Sequence, residues 1–409
     1  MVLLAALVIG MAVSISLAQI ALTALFVWVL LARRGGVVGP LRWPLLPPIV
    51  AFAVWSAVAA LVSEWPRESV LALKSLLTLG MIFVVANALP NAAAVRRFAT
   101  WLVLALAGAA VIGLVQVASC SGPAAADPGI PLIGKLFRKC TRARAFYSIY
   151  MTLAGVLAMM LVGALPRLVR LGADARWLGP AWIVSAAALA LTYVRGAWVG
   201  FAIGAVTAAA GLGRRGIVAV VAMLVFVGVL VAALPGVRAR VETIPDPTNA
   251  TSRDRLVMLG VGLQLAGDHP LAGIGPGGVK RVYPGVVPPE GLRRSTSHLH
   301  NTPLQIAAER GLVGLAAWLW LFVAFFRRAG VILVRLPAGA AGDRALVLGS
   351  LAAIVTFLVA GLFEYSFGDT EVLMVALAMM ALPFALAEDR VTTDRCPTPT
   401  SGAAPSGRT

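Results

Sequence analysis

Charge is what this sequence has least of. Of its 409 residues only 17 are acidic and 34 are Lys or Arg, so 12% of positions are charged while 60% are hydrophobic. A soluble globular chain is about one quarter charged. The shortage excludes a soluble multi-domain architecture and points to a polytopic membrane protein. No cation precedes Arg33, so the basic n-region of a cleaved signal peptide is missing and the first apolar residues are expected to be retained helices. Histidine is limited to His269, His298 and His300, and cysteine to Cys120, Cys140 and Cys396. No CxxC or Cys/His cluster has metal-ligand spacing, so neither a metal nor another cofactor is expected. There is also no Asp-x-Asp pair to hold a metal-bound nucleotide sugar, which counts against a cytoplasmic-type nucleotide-sugar transferase.

What is present is a series of apolar runs long enough to span a bilayer. Residues 1–32 read as two short helices broken near Ser14–Ser16. The following runs are 45–62, 69–89, 97–118, 145–165, 177–194, 196–211, 216–234, 303–326, 345–363 and 371–387. The expected fold is therefore all-α, a polytopic integral membrane protein of 11–12 transmembrane helices. It divides into an N-terminal helix bundle (1–234), a large loop (235–302), C-terminal helices (303–387) and a disordered cytoplasmic tail (388–409). When the helices alternate, Arg33, Arg34 and Arg42, then Arg96 and Arg97, then Arg167, Arg170 and Arg176, then Arg214 and Arg215, then Arg327, Arg328, Arg335 and Arg344 fall on one side. The positive-inside rule makes that side cytoplasmic. The formal net charge of +17 then speaks for anionic membrane lipids as partners, with no nucleic acid.

The other side holds 63–68, 119–144, the tight 194–196 turn, 235–302 and 364–370. Cys120 and Cys140 share one of these loops, where a disulfide can persist. Basic charge is unexpected there, yet Lys135, Arg138, Lys139, Arg142 and Arg144 crowd one loop. Arg238, Arg240, Arg253, Arg255, Lys280, Arg281, Arg293 and Arg294 lie in the large one. Such clusters either meet anionic outer-leaflet lipid and solvent or form a binding face for a polyanionic substrate. Arg195, set between two apolar runs with almost no loop, either snorkels to the interface or marks a function.

Within the large loop, Leu256, Leu259 and Leu263 recur at i, i+3 and i+7. They predict an amphipathic helix over about 253–266 lying on the membrane face. Asp268-His269-Pro270 ends it, which makes His269 a helix-end residue. Gly273-Ile274-Gly275-Pro276-Gly277-Gly278 has no preceding strand and reads as a sharp turn rather than a nucleotide loop. Thr302-Pro303-Leu304-Gln305 fits a capping box with Thr302 as N-cap, so a helix starts at Pro303. His300 then precedes the positive end of the helix dipole, which disfavours imidazolium and leaves a proton acceptor. His298 shares its side only if the segment is extended.

His300-Asn301, nine residues, then Gly311-Leu312-Val313-Gly314 resembles the H-[NSQ]-x9-G-x-x-G signature of bacterial O-antigen ligases, within the wider O-antigen ligase and polymerase family. Arg195-Gly196-Ala197-Trp198 is similar to the family's Ser-Arg-Gly-Ala-Trp helix end, with Val194 in place of Ser. Arg255-Leu256 followed by Asp268-His269-Pro270-Leu271-Ala272-Gly273-Ile274-Gly275 is similar to its Arg…Asp-His-Pro-Leu-x-Gly-x-Gly loop. Leu315 follows Gly314 where the ligases favour Gly or Thr. The resemblance covers about 190–370.

It implies a GT-C-like membrane glycosyltransferase in the bacterial inner membrane with its site facing the periplasm. The donor would be a glycan on undecaprenyl pyrophosphate and the acceptor a hydroxyl, in first place on the lipid A core, with no metal. Polysaccharide polymerisation and transfer to protein hydroxyls are the alternatives within the family, and a lipid or polysaccharide transporter is the alternative outside it. With that donor, His300 is the expected general base and Arg195 and Arg255 the expected pyrophosphate ligands. Arg253, Arg142 and Arg144 are further candidates for the phosphates, and His298 and Asn301 are possible supporting residues.

Overall fold

The computed structural model describes residues 1–36, 39–119, 141–170, 175–242 and 250–387. Cys120, Cys140, Lys135, Arg138, Lys139 and the 388–409 tail lie outside the described residues. Helix makes up 78% of the described residues, and no strand occurs among them. The elements are α1 Val2–Val13, α2 Ile15–Arg34, α3 Leu46–Leu61, α4 Pro66–Ala72, a 3-10 stretch Leu73–Leu79, α5 Gly80–Ala88, α6 Ala92–Ser119, α7 Tyr150–Val169, α8 Ala175–Ala190, α9 Arg195–Ala210, α10 Arg214–Ala233, α11 Pro235–Glu242, α12 Ala250–Asp268, α13 Val279–Val286, α14 Thr302–Arg335, α15 Ala341–Ala360 and α16 Thr370–Leu386. Among the described residues, seven of these segments are long and apolar enough to cross a membrane: α2, α4 to α5 taken as one, α6, α7, α10, α14 and α15. The protein is an all-α polytopic membrane protein.

Helices α7, α9, α15 and α16 form the centre. Every residue of α16 from Val372 to Leu386 is buried, and 78% of the apolar window of α7 is buried against 12% for α10. Small residues let these backbones approach, as expected where helices cannot rely on a hydrophobic driving force. A Cβ on Gly200 or Gly204 of α9 would run into the Thr356 segment of α15, and one on Gly349 of α15 into Gly163 of α7.

Cations cluster at one end of the bundle, where they satisfy helix-end carbonyls. Arg42 donates to the carbonyls of Ala86 and Ala385, Arg344 to those of Leu333 and Leu336, and Arg96 pairs with Asp343 at 2.6 Å. The helix expected over 303–326 continues to Arg335, so Arg327, Arg328 and Arg335 occupy its last turns rather than a loop.

At the opposite end, α12 runs from Ala250 to Asp268, longer than the expected 253–266. Asp254, Met258, Val261, Gly262 and Leu265 turn inward. Leu256, Leu259 and Leu263 form an exposed apolar stripe. The chain then makes a turn in which Gly273, Gly275 and Gly277 all have positive φ. The turn is held against α14: Ile274 N–H donates to Ala308 O at 2.9 Å, Gly275 N–H to Glu309 O at 3.0 Å and Leu312 N–H to Pro270 O at 2.7 Å. These bonds need a break in α14, and Gly311 supplies it with φ 67° and ψ −177°. A Cβ there would overlap the Leu271 carbonyl. The same interruption carries the buried Glu309–Arg310 ion pair (3.2 Å), linked to Gln305 and Ser56.

Asp369 ties α16 to α7 by capping Val372 N–H and accepting the Thr152 hydroxyl at 2.6 Å. Burial pushes its carboxyl up to about 7 from an ordinary 3.8; Glu371 adds to the rise, and the hydrogen bonds oppose it only in part.

Two expectations follow. Gly311→Ala combines a positive φ with a backbone overlap and should cost at least about 2 kcal/mol. Gly330→Ala, in the same helix with open space at its Cβ, should be neutral or gain up to about 1 kcal/mol. Thermal unfolding in detergent would show both; equal melting temperatures for the two variants would contradict the kink assignment. The second concerns Asp369→Asn. Folded Asp369 binds its proton more tightly than the unfolded chain does, so its contribution to stability is present at low pH and is lost as pH rises through about 7. The variant's stability relative to wild type should therefore improve between about pH 5 and about pH 8. A pH-independent difference would contradict this.

Candidate active site

The start of α14 is stitched to the 361–369 loop. Thr302 N–H donates to Gly361 O at 2.7 Å, Asn301 Nδ2 to Leu362 O at 3.1 Å and the Thr302 hydroxyl to Glu364 O at 2.8 Å. The N-cap is Asn301, whose side chain accepts from Leu304 N–H at 2.9 Å, and not Thr302 as the sequence suggests. The capping box does not form, because Gln305 accepts from Leu299 N–H and donates to Glu309. Asn301 is short enough to fold back on its own turn and wins the cap.

His300 sits just before this cap in the left-handed region (φ 50°) and is 9% exposed. The segment is thus not extended, yet the two imidazoles still meet, with ring centroids 4.3 Å apart and nearly perpendicular. They meet because both face Glu364. His300 Nδ1 lies 2.9 Å from its carboxylate and His298 Nε2 3.6 Å from it. Burial alone would push the Glu364 carboxyl up. The hydrogen bond from His300 and the fields of His300, His298 and Arg255 outweigh burial and hold it below its ordinary value. His298 is lowered by burial and by His300, against the pull of Glu364. Glu364 was missed by sequence reasoning. Its signal was its place as one of two acids, with Asp369, in a short loop on the basic side of a chain poor in acids.

The arginines divide. Arg255 is half-buried on α12, where burial lowers it most and Glu364 partly restores it. Arg253, two residues away on the same helix, is exposed. Arg195 begins α9 and donates to Ser252 at 3.4 Å. Arg240 on α11, named in the sequence only as one of the large-loop cations, is bonded to Tyr193 O and lowered first by burial, then by Arg195 and Arg142. Arg142 stacks over Tyr150 at 4.4 Å. Arg144 bonds Ser148 O and, through its backbone, Gln116. Arg255, Arg240, Arg195 and Arg142 therefore form one band of positive charge next to the His300–Glu364 pair. A cavity of about 20 Å³ lined by Arg255, Glu364, Val194 and Gly196 joins the two halves, enough for about one water.

His298, His300 and Glu364 also bring three ligand-type atoms within 4.8 Å, the donor set of a His₂Glu metal site. The short Nδ1–carboxylate approach is a hydrogen bond between the imidazole and the carboxylate. Sequence spacing gave no hint of this third group, since Glu364 is 64 residues from His300.

No curated protein matches the chain. Residues 180–319 match the family model described as O-antigen ligase, a span that carries Arg195, Arg255 and His300 but ends before Glu364. Over residues 180–319 the chain carries a domain similar to the O-antigen ligase and polymerase family of membrane proteins.

Proposed function

We propose that the protein transfers a glycan from undecaprenyl pyrophosphate to an acceptor hydroxyl on the periplasmic side of the inner membrane, with the lipid A core as acceptor. The family implies glycosyl transfer of the ligase or polymerase type. The observation that carries the finer reading is the 2.9 Å contact between His300 Nδ1 and Glu364 beside a band of arginines. The ligase signature at His300-Asn301…Gly311-x-x-Gly314 favours ligation over polymerisation.

In this reaction the pair acts as an oriented base. Glu364 accepts Nδ1–H, which fixes the tautomer and leaves the Nε2 lone pair for the acceptor hydroxyl. The acceptor oxygen bonds the anomeric carbon as the bond from that carbon to the phosphate oxygen breaks. The proton goes to His300 Nε2 and the electron pair to the departing pyrophosphate. Arg255 and Arg195, with Arg240 and Arg142 behind them, stabilise the charge that develops there. Polar groups gathered at one end of the bundle favour an enzyme over a transporter, which works at the bilayer midplane.

The test is a transfer assay with purified protein, undecaprenyl-pyrophosphate glycan and three acceptors: lipid A core, the glycan itself and a protein hydroxyl. The acceptor that becomes glycosylated decides between ligase, polymerase and protein transferase, and glycan flux across liposomes without any covalent product would favour a transporter. His300→Ala should lower kcat by about 10²–10⁴-fold and Glu364→Gln by up to about 10⁴-fold. Full activity in either would sink the dyad. EDTA is expected to leave wild-type transfer intact; a chelator-sensitive rate would reassign His298, His300 and Glu364 to metal ligation.

The arginines are separable by a conservative change. Arg255→Lys keeps charge but loses the bidentate fork and should cost about 10²-fold in kcat/KM. Exposed Arg253→Lys should stay within about twofold. The reverse order would move the phosphate contact to Arg253.

A further inference from the structure

The chemistry above leaves one buried ion pair without a role. Glu309 and Arg310 lie at the break in α14, with their side chains 3% and 5% exposed. Replacing such a pair by apolar side chains of similar volume is often neutral or stabilising, so its presence is weak evidence of a part in stability. Its connections are more specific. Glu309 accepts from Gln305 Nε2 at 2.8 Å, and Gln305 Oε1 accepts the Leu299 N–H at 2.8 Å. Leu299 directly precedes His300. On the other side, the Arg310 side chain bonds that of Tyr365, which directly follows Glu364. Tyr365 N–H in turn donates to the Glu364 carboxylate at 3.2 Å. One arm of the pair therefore ends beside each member of the His300–Glu364 contact.

The pair is itself held from several elements. Arg310 Nε donates to the Ser56 hydroxyl of α3 at 3.1 Å, and its guanidinium lies 5.6 Å from the Phe52 ring centroid. Glu309 accepts from the backbone N–H groups of Gly277 and Val279. The carbonyls beside the break are used as well: Glu309 O accepts from Gly275 N–H at 3.0 Å and Arg310 O from Trp55 Nε1 at 2.8 Å. His300 needs a frame of this kind. A non-glycine residue at φ 50° persists only where its surroundings over-determine it. Asn301 and Thr302 fasten the chain after it, and the Leu299–Gln305 bond fastens the chain before it.

We infer that Glu309 and Arg310 are positioning residues for the base and its acid, Glu309 acting on His300 through Gln305 and Arg310 on Glu364 through Tyr365. The role rests on the proposed His300–Glu364 chemistry and adds what keeps its two halves in register from within the bundle. Because both arms start from adjacent side chains, loss of one arm releases one half of the contact, and loss of both releases the whole.

The test separates positioning from structure. In the transfer assay with full-length protein, Gln305→Met and Tyr365→Phe should each lower kcat by about tenfold, and together by about 10²-fold, with KM within about twofold. The exchange Gln305→Glu/Glu309→Gln restores an acceptor for Leu299 N–H and a donor between the two side chains. It should bring kcat back to within about threefold of wild type. Imidazole ¹⁵N spectra, with three histidines in the chain, read the His300 tautomer and need no substrate. They should show Nδ1–H in wild type and in the exchanged pair, and a mixture of tautomers in Gln305→Met and Tyr365→Phe. Unchanged kcat and an unchanged tautomer in both single variants would overturn the inference. A loss carried by KM at constant kcat would also overturn it, by moving the pair to substrate binding. If Gln305→Met does not fold, Tyr365→Phe, which removes a single hydroxyl, decides alone. A shifted tautomer in protein that transfers no glycan would keep the inference and remove the proposed reaction. Wild-type transfer that both single variants retain in full would do the opposite.

Discussion

Three hydrogen bonds between the start of α14 and the 361–369 loop hold the rest of the site in register. They join segments about sixty residues apart: Thr302 to Gly361, Asn301 to Leu362, Thr302 to Glu364. Without them Glu364 would have no reason to face His300. One of these bonds uses up the Thr302 N–H that the first turn of a helix leaves orphaned, so the contact that positions the acid also helps to complete the helix end. The placing of Glu364 and the start of the helix are here a single solution.

Burying a carboxylate at this point is unfavourable unless it is surrounded by donors and positive charge. The protein meets the need from three directions: His300 from before α14, His298 two residues earlier and Arg255 from α12. The excess of cations that looks anomalous on this side of the sequence therefore has an internal use, with Arg255 acting on Glu364. A band containing Arg255, Arg240, Arg195 and Arg142 repels itself, as the lowering of Arg240 by Arg195 and Arg142 records.

Much of the fold was legible because it rests on length and hydropathy. The break at Ser14, the order of helices and the amphipathic stripe of Leu256, Leu259 and Leu263 all follow from local pattern. The extension of α14 past Arg327 was not, because Lys and Arg at a helix end resemble a loop to a hydropathy window. The cap was misread because Thr-Pro-x-Gln satisfies a local rule that Asn301 satisfies better. Of the site, the residues carried by short motifs, His300, Arg195 and Arg255, could be named in advance. Glu364 and Arg240 could not, since each joins the cluster only through tertiary contact and neither sits in a recognisable string.

The break at Gly311 divides α14 into two pieces with different neighbours. Thr302–Arg310 is fastened to the 361–369 loop and to the glycine turn, while the long remainder exposes Leu319, Trp320, Val323, Val331 and Val334 to lipid. A helix answers a thicker or thinner bilayer by tilting, and an unbroken rod of 34 residues would carry that tilt into its first turn. With the ladder interrupted, the lipid-facing piece can follow the membrane while Thr302–Arg310 keeps its bonds to the 361–369 loop and the glycine turn. The glycine thus insulates the His300–Glu364 contact from the mechanics of the bilayer around it.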